Sequence, residues 1–154
     1  MKAAPINLAS FYNFDDPNCY KISFKNFQID EQTMKALIMI LPYLLDFVEI
    51  ELFNNQITDS TAPGLMFAIY CNPTICRLTV AYNYMRNAFS RCLSRLMHLK
   101  PEKLNEINLM GSIVYTDHIE PLVRQLPRLK TLKLLNIAGC TMTHAMCRDL
   151  ASFM

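Results

Sequence analysis

The sequence predicts an α/β solenoid: a short curved arc of about five repeats, with parallel strands on the concave face and helices on the convex face. Three observations carry this expectation. A short strand-like motif recurs at a near-constant interval, a helical pattern follows each copy, and prolines fall where the helices must stop.

The motif reads apolar-x-x-apolar-x-apolar. It occurs over Cys19 to Phe24, Phe47 to Leu52, Ile75 to Val80, Leu104 to Leu109 and Leu129 to Leu134. Its central residues are Ile22, Ile50, Leu78, Ile107 and Leu132, at intervals of 28, 28, 29 and 25 residues. Strands are expected near 20–25, 48–53, 76–81, 105–110 and 130–135. Alternation sends Ile50 and Leu52 into the core and Glu49, Glu51 and Phe53 to the other face.

Helical spacing follows. Asp30 caps a helix that places Met34, Leu37, Ile38 and Leu41 on one side. Phe89, Leu93 and Leu96 repeat the pattern, as do Ile119, Leu122, Val123 and Leu126, then Met146, Leu150 and Phe153. Pro42, Pro73, Pro101 and Pro127 lie between helix and next strand, where a helix must end. The last interval, three residues shorter than the first, implies about one helical turn fewer in the fourth repeat. No repeat can cover its own apolar faces alone; stacking does so.

Asn55 and Ile57 follow the second motif, and Asn83 and Met85 the third. These positions match the leucine-rich-repeat pattern L-x-x-L-x-L-x-x-N-x-L. The unit from Asn55 to Asn83, with Asn72-Pro73-Thr74-Ile75 leading into the next strand, resembles the ribonuclease-inhibitor-like subclass, and the resemblance covers residues 19–154. Phe27, Ser112 and Ile137 stand where Asn would be expected, so any ladder of Asn side chains is partial. Residues 1–18 fit no repeat and read as an amino-terminal arm or partial cap. The final helix is apolar and has no polar capping repeat, which reads as a fragment or as an end that something covers.

Composition narrows the function classes. A chain of 154 residues is one domain, and 52% apolar with 18% charged residues excludes a disordered chain. A net charge of +2, with Lys and Arg scattered singly, argues against nucleic-acid or membrane partners. Three glycines leave little scope for a phosphate-cradling loop. The most apolar stretch, Ala36 to Val48, is broken by Pro42 and Asp46 and is shorter than the roughly 20 residues a membrane span needs. The amino terminus lacks the apolar run of a secretory signal. Six cysteines without a C-x-x-C pair read as free thiols in a reducing compartment, hence a cytoplasmic protein.

Strand positions that face away from the core form three columns. The first is Lys21, Glu49, Arg77, Glu106 and Thr131; the second Ser23, Glu51, Thr79, Asn108 and Lys133; the third Lys25, Phe53, Ala81, Met110 and Leu135. The first column alternates in sign, either as a ladder of surface ion pairs or as a charged edge that orients a partner. In the third, Phe53, Met110 and Leu135 form an apolar patch that either binds a partner or lies under the arm or a loop. The candidate partner-binding set on the concave face is therefore Phe53, Met110, Leu135, Glu49, Glu51, Arg77, Glu106 and Lys133. On the first helix, Ile38 to Leu41 are apolar in succession, so one or two must point away from the core.

Catalytic readings find little footing. His98, His118 and His144 fall in different repeats. Cys140, His144 and Cys147 have the i, i+4, i+7 spacing of a metal site but no evident fourth ligand, and read as ordinary packing. Asp15-Asp16 before Pro17 reads as a turn. No nucleophile is matched to a His and an acid. The sequence thus reads as a non-catalytic protein–protein interaction module with no cofactor, metal or small-molecule substrate. It reads further as a scaffold subunit of a hetero-complex. The repeat resemblance extends this to cytoskeletal and ciliary assemblies. The alternative is a regulator of a small GTPase, since Ran GTPase activators are similar to this repeat subclass. Asn83 and Arg86 would then be the loop residues that reach a nucleotide, although the acidic tail of that family has no counterpart in these residues.

Overall fold

Each strand ends where the backbone turns left-handed, at the same position of every repeat. Asn26, Asn54, Tyr82, Gly111 and Gly139 have positive φ, between 50° and 73°. Asn and Gly enter this region at little cost; Tyr82 is the bulky exception. A side chain at Gly111 would have no room, because its Cβ would lie 2.9 Å from the Tyr82 ring.

The computed structural model describes residues 20–55, 57–113 and 115–153. The arm expected over residues 1–18, and Cys19, lie outside them. In chain order the elements are β1 (Lys21–Lys25), α1 (Glu31–Ile40), β2 (Glu49–Phe53), α2 (Ala62–Cys71), β3 (Arg77–Thr79), α3 (Asn87–Leu99), β4 (Glu106–Asn108), α4 (Thr116–Val123), β5 (Leu134–Asn136) and α5 (His144–Phe153). One-turn 3-10 segments, Leu41–Tyr43 and Leu126–Arg128, follow α1 and α4. The five strands form one parallel sheet in the order β1-β2-β3-β4-β5. The fold is a leucine-rich-repeat-like α/β solenoid, as the recurring motif predicts.

The fifth strand corrects the expected register. Leu135, not Leu132, pairs with Ile107, and Leu134 pairs with Glu106. The core positions are then Ile22, Ile50, Leu78, Ile107 and Leu135, so the last interval is 28 residues and the fourth repeat loses no helical turn. Two overlapping motifs cause the difference, because Leu132-x-x-Leu135-x-Ile137 also fits, three residues after the first. The stack selects the second. The carbonyls of Tyr20, Val48, Cys76 and Asn105 each accept two N–H groups from the next strand's entry, and at the last step these are Lys133 and Leu134. Leu129 belongs to the turn after the 3-10 segment and is buried there.

The same shift changes the ladder that closes the strand ends, placing Cys140 rather than Ile137 at the Asn position. The ladder runs sideways through the stack. Asn55 Oδ1 accepts from Phe27 N at 3.0 Å, Asn83 Oδ1 from Asn55 N at 2.9 Å, and Ser112 Oγ from Asn83 N at 2.9 Å. Backwards, Asn55 Nδ2 donates to Phe24 O, Asn83 Nδ2 to Leu52 O, Ser112 Oγ to Val80 O and the Cys140 thiol to Leu109 O. Asn55, Asn83 and Ser112 are fully or almost fully buried, so these bonds meet backbone groups that water cannot reach.

The helices close the other side of the core. Asp30 caps α1, accepting from Thr33 N at 2.7 Å. Asp59 caps α3 from the previous repeat, accepting from Arg86, Ala88 and Phe89 N–H groups at 2.9–3.2 Å. Asn72 ties the α2 exit to the preceding repeat, with Nδ2 donating to Leu41 O and Leu44 O. α2 is the helix expected after the second strand, but it is apolar on nearly every side and its sequence marks no face by 3.6-residue alternation.

Candidate protein-binding surfaces

The open face of the sheet carries the charged column. Its side chains pair across strands in one continuous run. Lys25 meets Glu51 at 3.3 Å, and Lys21 meets both Glu51 and Glu49 at 2.8 Å. Arg77 then bridges Glu49 at 3.5 Å and Glu106 at 3.9 Å. Ser23 Oγ also donates to Glu51 at 2.7 Å. Burial pushes the Glu51 carboxyl up, but its bonds from Lys21, Ser23 and Lys25 outweigh that and hold it below the usual carboxylate range. Burial likewise lowers the Lys21 ammonium, and Glu49 and Glu51 together more than reverse it.

The apolar column does not assemble as the sequence spacing predicts. Leu135 points into the core, against the partly buried layer that includes Leu132 and Ile137, and Lys133 lies before β5. The exposed side chain that β5 gives to the open face is Leu134, beside Glu106. Phe53 is half-buried beneath Tyr82, with ring centroids 5.1 Å apart in an edge arrangement. Ala81 is buried and Met110 half-buried. Of the predicted set, Glu49, Glu51, Arg77 and Glu106 come together, Phe53 and Met110 flank them, and Leu135 and Lys133 do not join.

Two residues considered for other chemistry have structural roles. The Asn83 amide is consumed by the ladder, donating to Leu52 O, Val80 O and Ala81 O and accepting from Asn55 N and Ile57 N. It cannot also reach a nucleotide beside Arg86. Cys140 precedes α5 and faces Leu109 O, whereas His144 and Cys147 are exposed, so the three do not share a helical face. Burial raises the Cys140 thiol pKa. The five described cysteines are free thiols.

The helical side presents more apolar surface than the apolar run Ile38 to Leu41 predicts. Met39 is 74% exposed, Tyr43 79% and Phe67 67%. Met39 and Tyr43 come from the first helix and the 3-10 turn after it, the region where consecutive apolar residues require some to face outward. Phe67 is different, because α2 has no apolar face set off by charged residues: none lies between Asp59 and Arg77. Phe67 stacks on Tyr70 at 6.4 Å, and Lys100 Nζ lies 4.0 Å above the Tyr70 ring. Lys100 donates to Tyr70 O at 2.7 Å and Lys103 to Asn72 O, so two cations satisfy carbonyls at the α2 carboxyl end. Burial and the nearby Lys100 charge push the Lys103 pKa down to about 8.

The fold is similar to a tropomodulin C-terminal domain from Caenorhabditis elegans, with a TM-score of 0.72 and 17% identity over 86% of this chain and 80% of that one. It is also similar to leiomodin-1 actin-binding site 2, with a TM-score of 0.65 and 14% identity over 91% of this chain and 81% of that one. No family model and no curated protein matches the sequence. At these identities the likeness is one of fold.

Proposed function

We propose that this chain is a non-catalytic protein–protein interaction module, a structural subunit of a cytoplasmic hetero-complex of the cytoskeletal or ciliary kind. The observation that carries this reading is the outer wall of the solenoid, where large apolar side chains such as Tyr43 and Phe67 stand in solvent. Exposed apolar groups gathered on one wall mark contact sites more often than isolated ones do. The residues with chemical potential support the same reading through their structural tasks: Asn83 and Cys140 hold the ladder, and Glu49 and Glu51 hold the sheet-face ion pairs. The cytoskeletal element rests on analogy of fold with leiomodin-1 actin-binding site 2. The repeat length and the turn from Asn72 to Ile75 support the ribonuclease-inhibitor-like subclass.

Two walls are available to a partner: the open face, with Glu49, Glu51, Arg77 and Glu106 flanked by Phe53 and Met110, and the helical face. The test is purification of tagged chain from its native cells, with mass spectrometry and light scattering of the eluate. A cytoskeletal protein in fixed stoichiometry is the expected result. A chain that elutes alone as a monomer overturns the proposal. A folded Arg77→Glu/Met110→Glu variant that loses the partner assigns it to the open face.

A further inference from the structure

We propose that the groove between α2 and α3 docks an acidic amphipathic helix of a protein partner; this rests on the interaction-module reading and specifies the face and chemistry of contact. The groove is open, about 420 Å³ in volume, and more apolar than polar. α2 turns Pro63, Phe67 and Tyr70 towards it, and α3 turns Arg95, Leu96 and Leu99. With Met66 on α2 and Cys92 on α3, each set follows i, i+3, i+4, i+7 spacing, so the groove runs along the helices as a channel between two ridges. Phe67 and Leu99, 67% and 54% exposed, form its lips, while Met66 and Leu96 are buried in its floor.

The neighbouring interhelical seams differ. Between α1 and α2, Gly64 brings the helices together, and a Cβ there would lie 3.2 Å from Ile38 Cδ1, so that seam is filled. The α3–α4 groove is lined by Arg91, Asp117, Glu120, Arg124 and Gln125, with Arg124 paired to Glu120. That groove carries carboxylates of its own, Asp117 and Glu120, beside its arginines. Of these three seams, α2–α3 is the apolar channel, where a helix with no charged residue faces solvent. Helices that are apolar on all sides are normally buried.

Charge identifies the occupant. Between Asp59 and Glu102 the sequence has no carboxylate, yet it carries Arg77, Arg86, Arg91, Arg95 and Lys100. Arg95 lines the channel with no carboxylate within ion-pair distance among the described residues, and Lys100 sits at the Tyr70 end. A ligand helix with an apolar stripe for the floor and carboxylates flanking it would satisfy both features. The floor lies below its lips, which fits a ridge of side chains better than a flat anionic bilayer, for which a projecting apolar surface is needed.

The test uses two helical peptides with Leu at i, i+3, i+4 and i+7, one flanked by Glu and its twin by Lys. Fluorescence anisotropy reads their binding to wild type, to Phe67→Ser/Leu99→Ser and to Arg95→Glu/Lys100→Glu, with thermal unfolding confirming that the variants fold. The Glu peptide is expected to bind wild type, to weaken about tenfold or more in each variant, and to weaken with added salt. The Arg95→Glu/Lys100→Glu variant is expected to prefer the Lys peptide. Equal affinity for the two peptides overturns the proposal, as does tighter binding to phosphatidylserine vesicles than to the Glu peptide, or a self-dimer that occludes the channel. In the purification from cells, a partner retained by both groove variants overturns the groove and leaves the module standing. A wild-type chain without any partner overturns the module itself.

Discussion

The open face and the helical face are built from the same repeats, yet they treat their exposed side chains in opposite ways. On the open face Lys25, Lys21 and Arg77 each meet a carboxylate from the neighbouring strand, so the surface neutralises itself. On the helical face α2 leaves Phe67 largely exposed against Tyr70 of its own helix, and α3 adds Arg95 with no carboxylate within ion-pair distance among the described residues. Spacing explains the contrast. Neighbouring strands lie about 4.8 Å apart, so equal positions of successive repeats touch and like charges there would repel. Neighbouring helices lie about 8–10 Å apart, which leaves a channel whose outer residues need not compensate one another. The wall with the looser spacing is the one free to specialise.

The contrast predicts that variants of the strand side lose stability while variants of the groove lose binding. The largest stability loss is expected for Asn83→Ala. It leaves Asn55 N and Ile57 N without their acceptor and takes the amide donor from Leu52 O, Val80 O and Ala81 O, of which Val80 O keeps Ser112 Oγ and Ala81 O keeps Asn54 N, all next to a buried residue. A loss of about 3 kcal/mol follows from unsatisfied buried groups, read as a lower urea midpoint at unchanged slope. A loss under about 0.5 kcal/mol would show that the ladder does not hold the stack.

Gly111→Ala comes next, at about 1–2 kcal/mol. Its φ of +65° disfavours a side chain, and the Tyr82 ring occupies the space a Cβ needs. Combining it with Tyr82→Ala should recover part of the loss in the same urea titration, since the two residues touch. Recovery of nothing would mean that backbone strain alone accounts for the cost.

The ladder and the fifth strand also show which features were legible in the sequence. Four strands, their 28- and 29-residue spacing, the α1 cap at Asp30 and the columns through Glu106 follow from local pattern alone, because side-chain alternation is a property of the strand itself. β5 was misplaced by three residues, because Leu129, Leu132 and Leu134 imitate the motif that Leu132, Leu135 and Ile137 form. Local pattern cannot choose between them. The choice comes from the Asn105 carbonyl, which receives Lys133 and Leu134 N–H groups across the sheet. That slip carried Leu135 into the predicted contact set and concealed Cys140 as a member of the ladder. The α2 groove was illegible for a related reason: a helix apolar on all sides has no preferred face until neighbours cover part of it.

Glu51→Gln should cost about 1 kcal/mol near neutral pH, because the carboxylate is buried among two lysines and a hydroxyl. The pH dependence is the sharper reading. The folded carboxyl titrates below its ordinary value, so its contribution is present above about pH 4.5 and is lost as pH falls through the folded value. Lys21 titrates above its ordinary value, so its contribution is present below about pH 10.5 and is lost as pH rises through the folded value. Glu51→Gln should therefore flatten the acid limb of the stability profile and weaken the alkaline limb, where Lys21 keeps only Glu49. An acid limb unchanged from wild type would show that the open-face pairs are loose and would erase the contrast with the helical face.

The smallest stability effect is expected for Phe67→Ser, and it separates the two faces most directly. Phe67 is mostly in water, so removing it forfeits the stack on Tyr70 and little buried area. The stability change should stay within about 0.5 kcal/mol, and losing the exposed ring should raise solubility. A protein that needed Phe67 for its own core would lose several times that amount, as large-to-small core changes do. Near-unchanged unfolding together with lost binding of the acidic peptide would mean that the ring serves a partner. A drop of about 2 kcal/mol or more would instead place Phe67 within the fold's own packing and close the channel as a docking site.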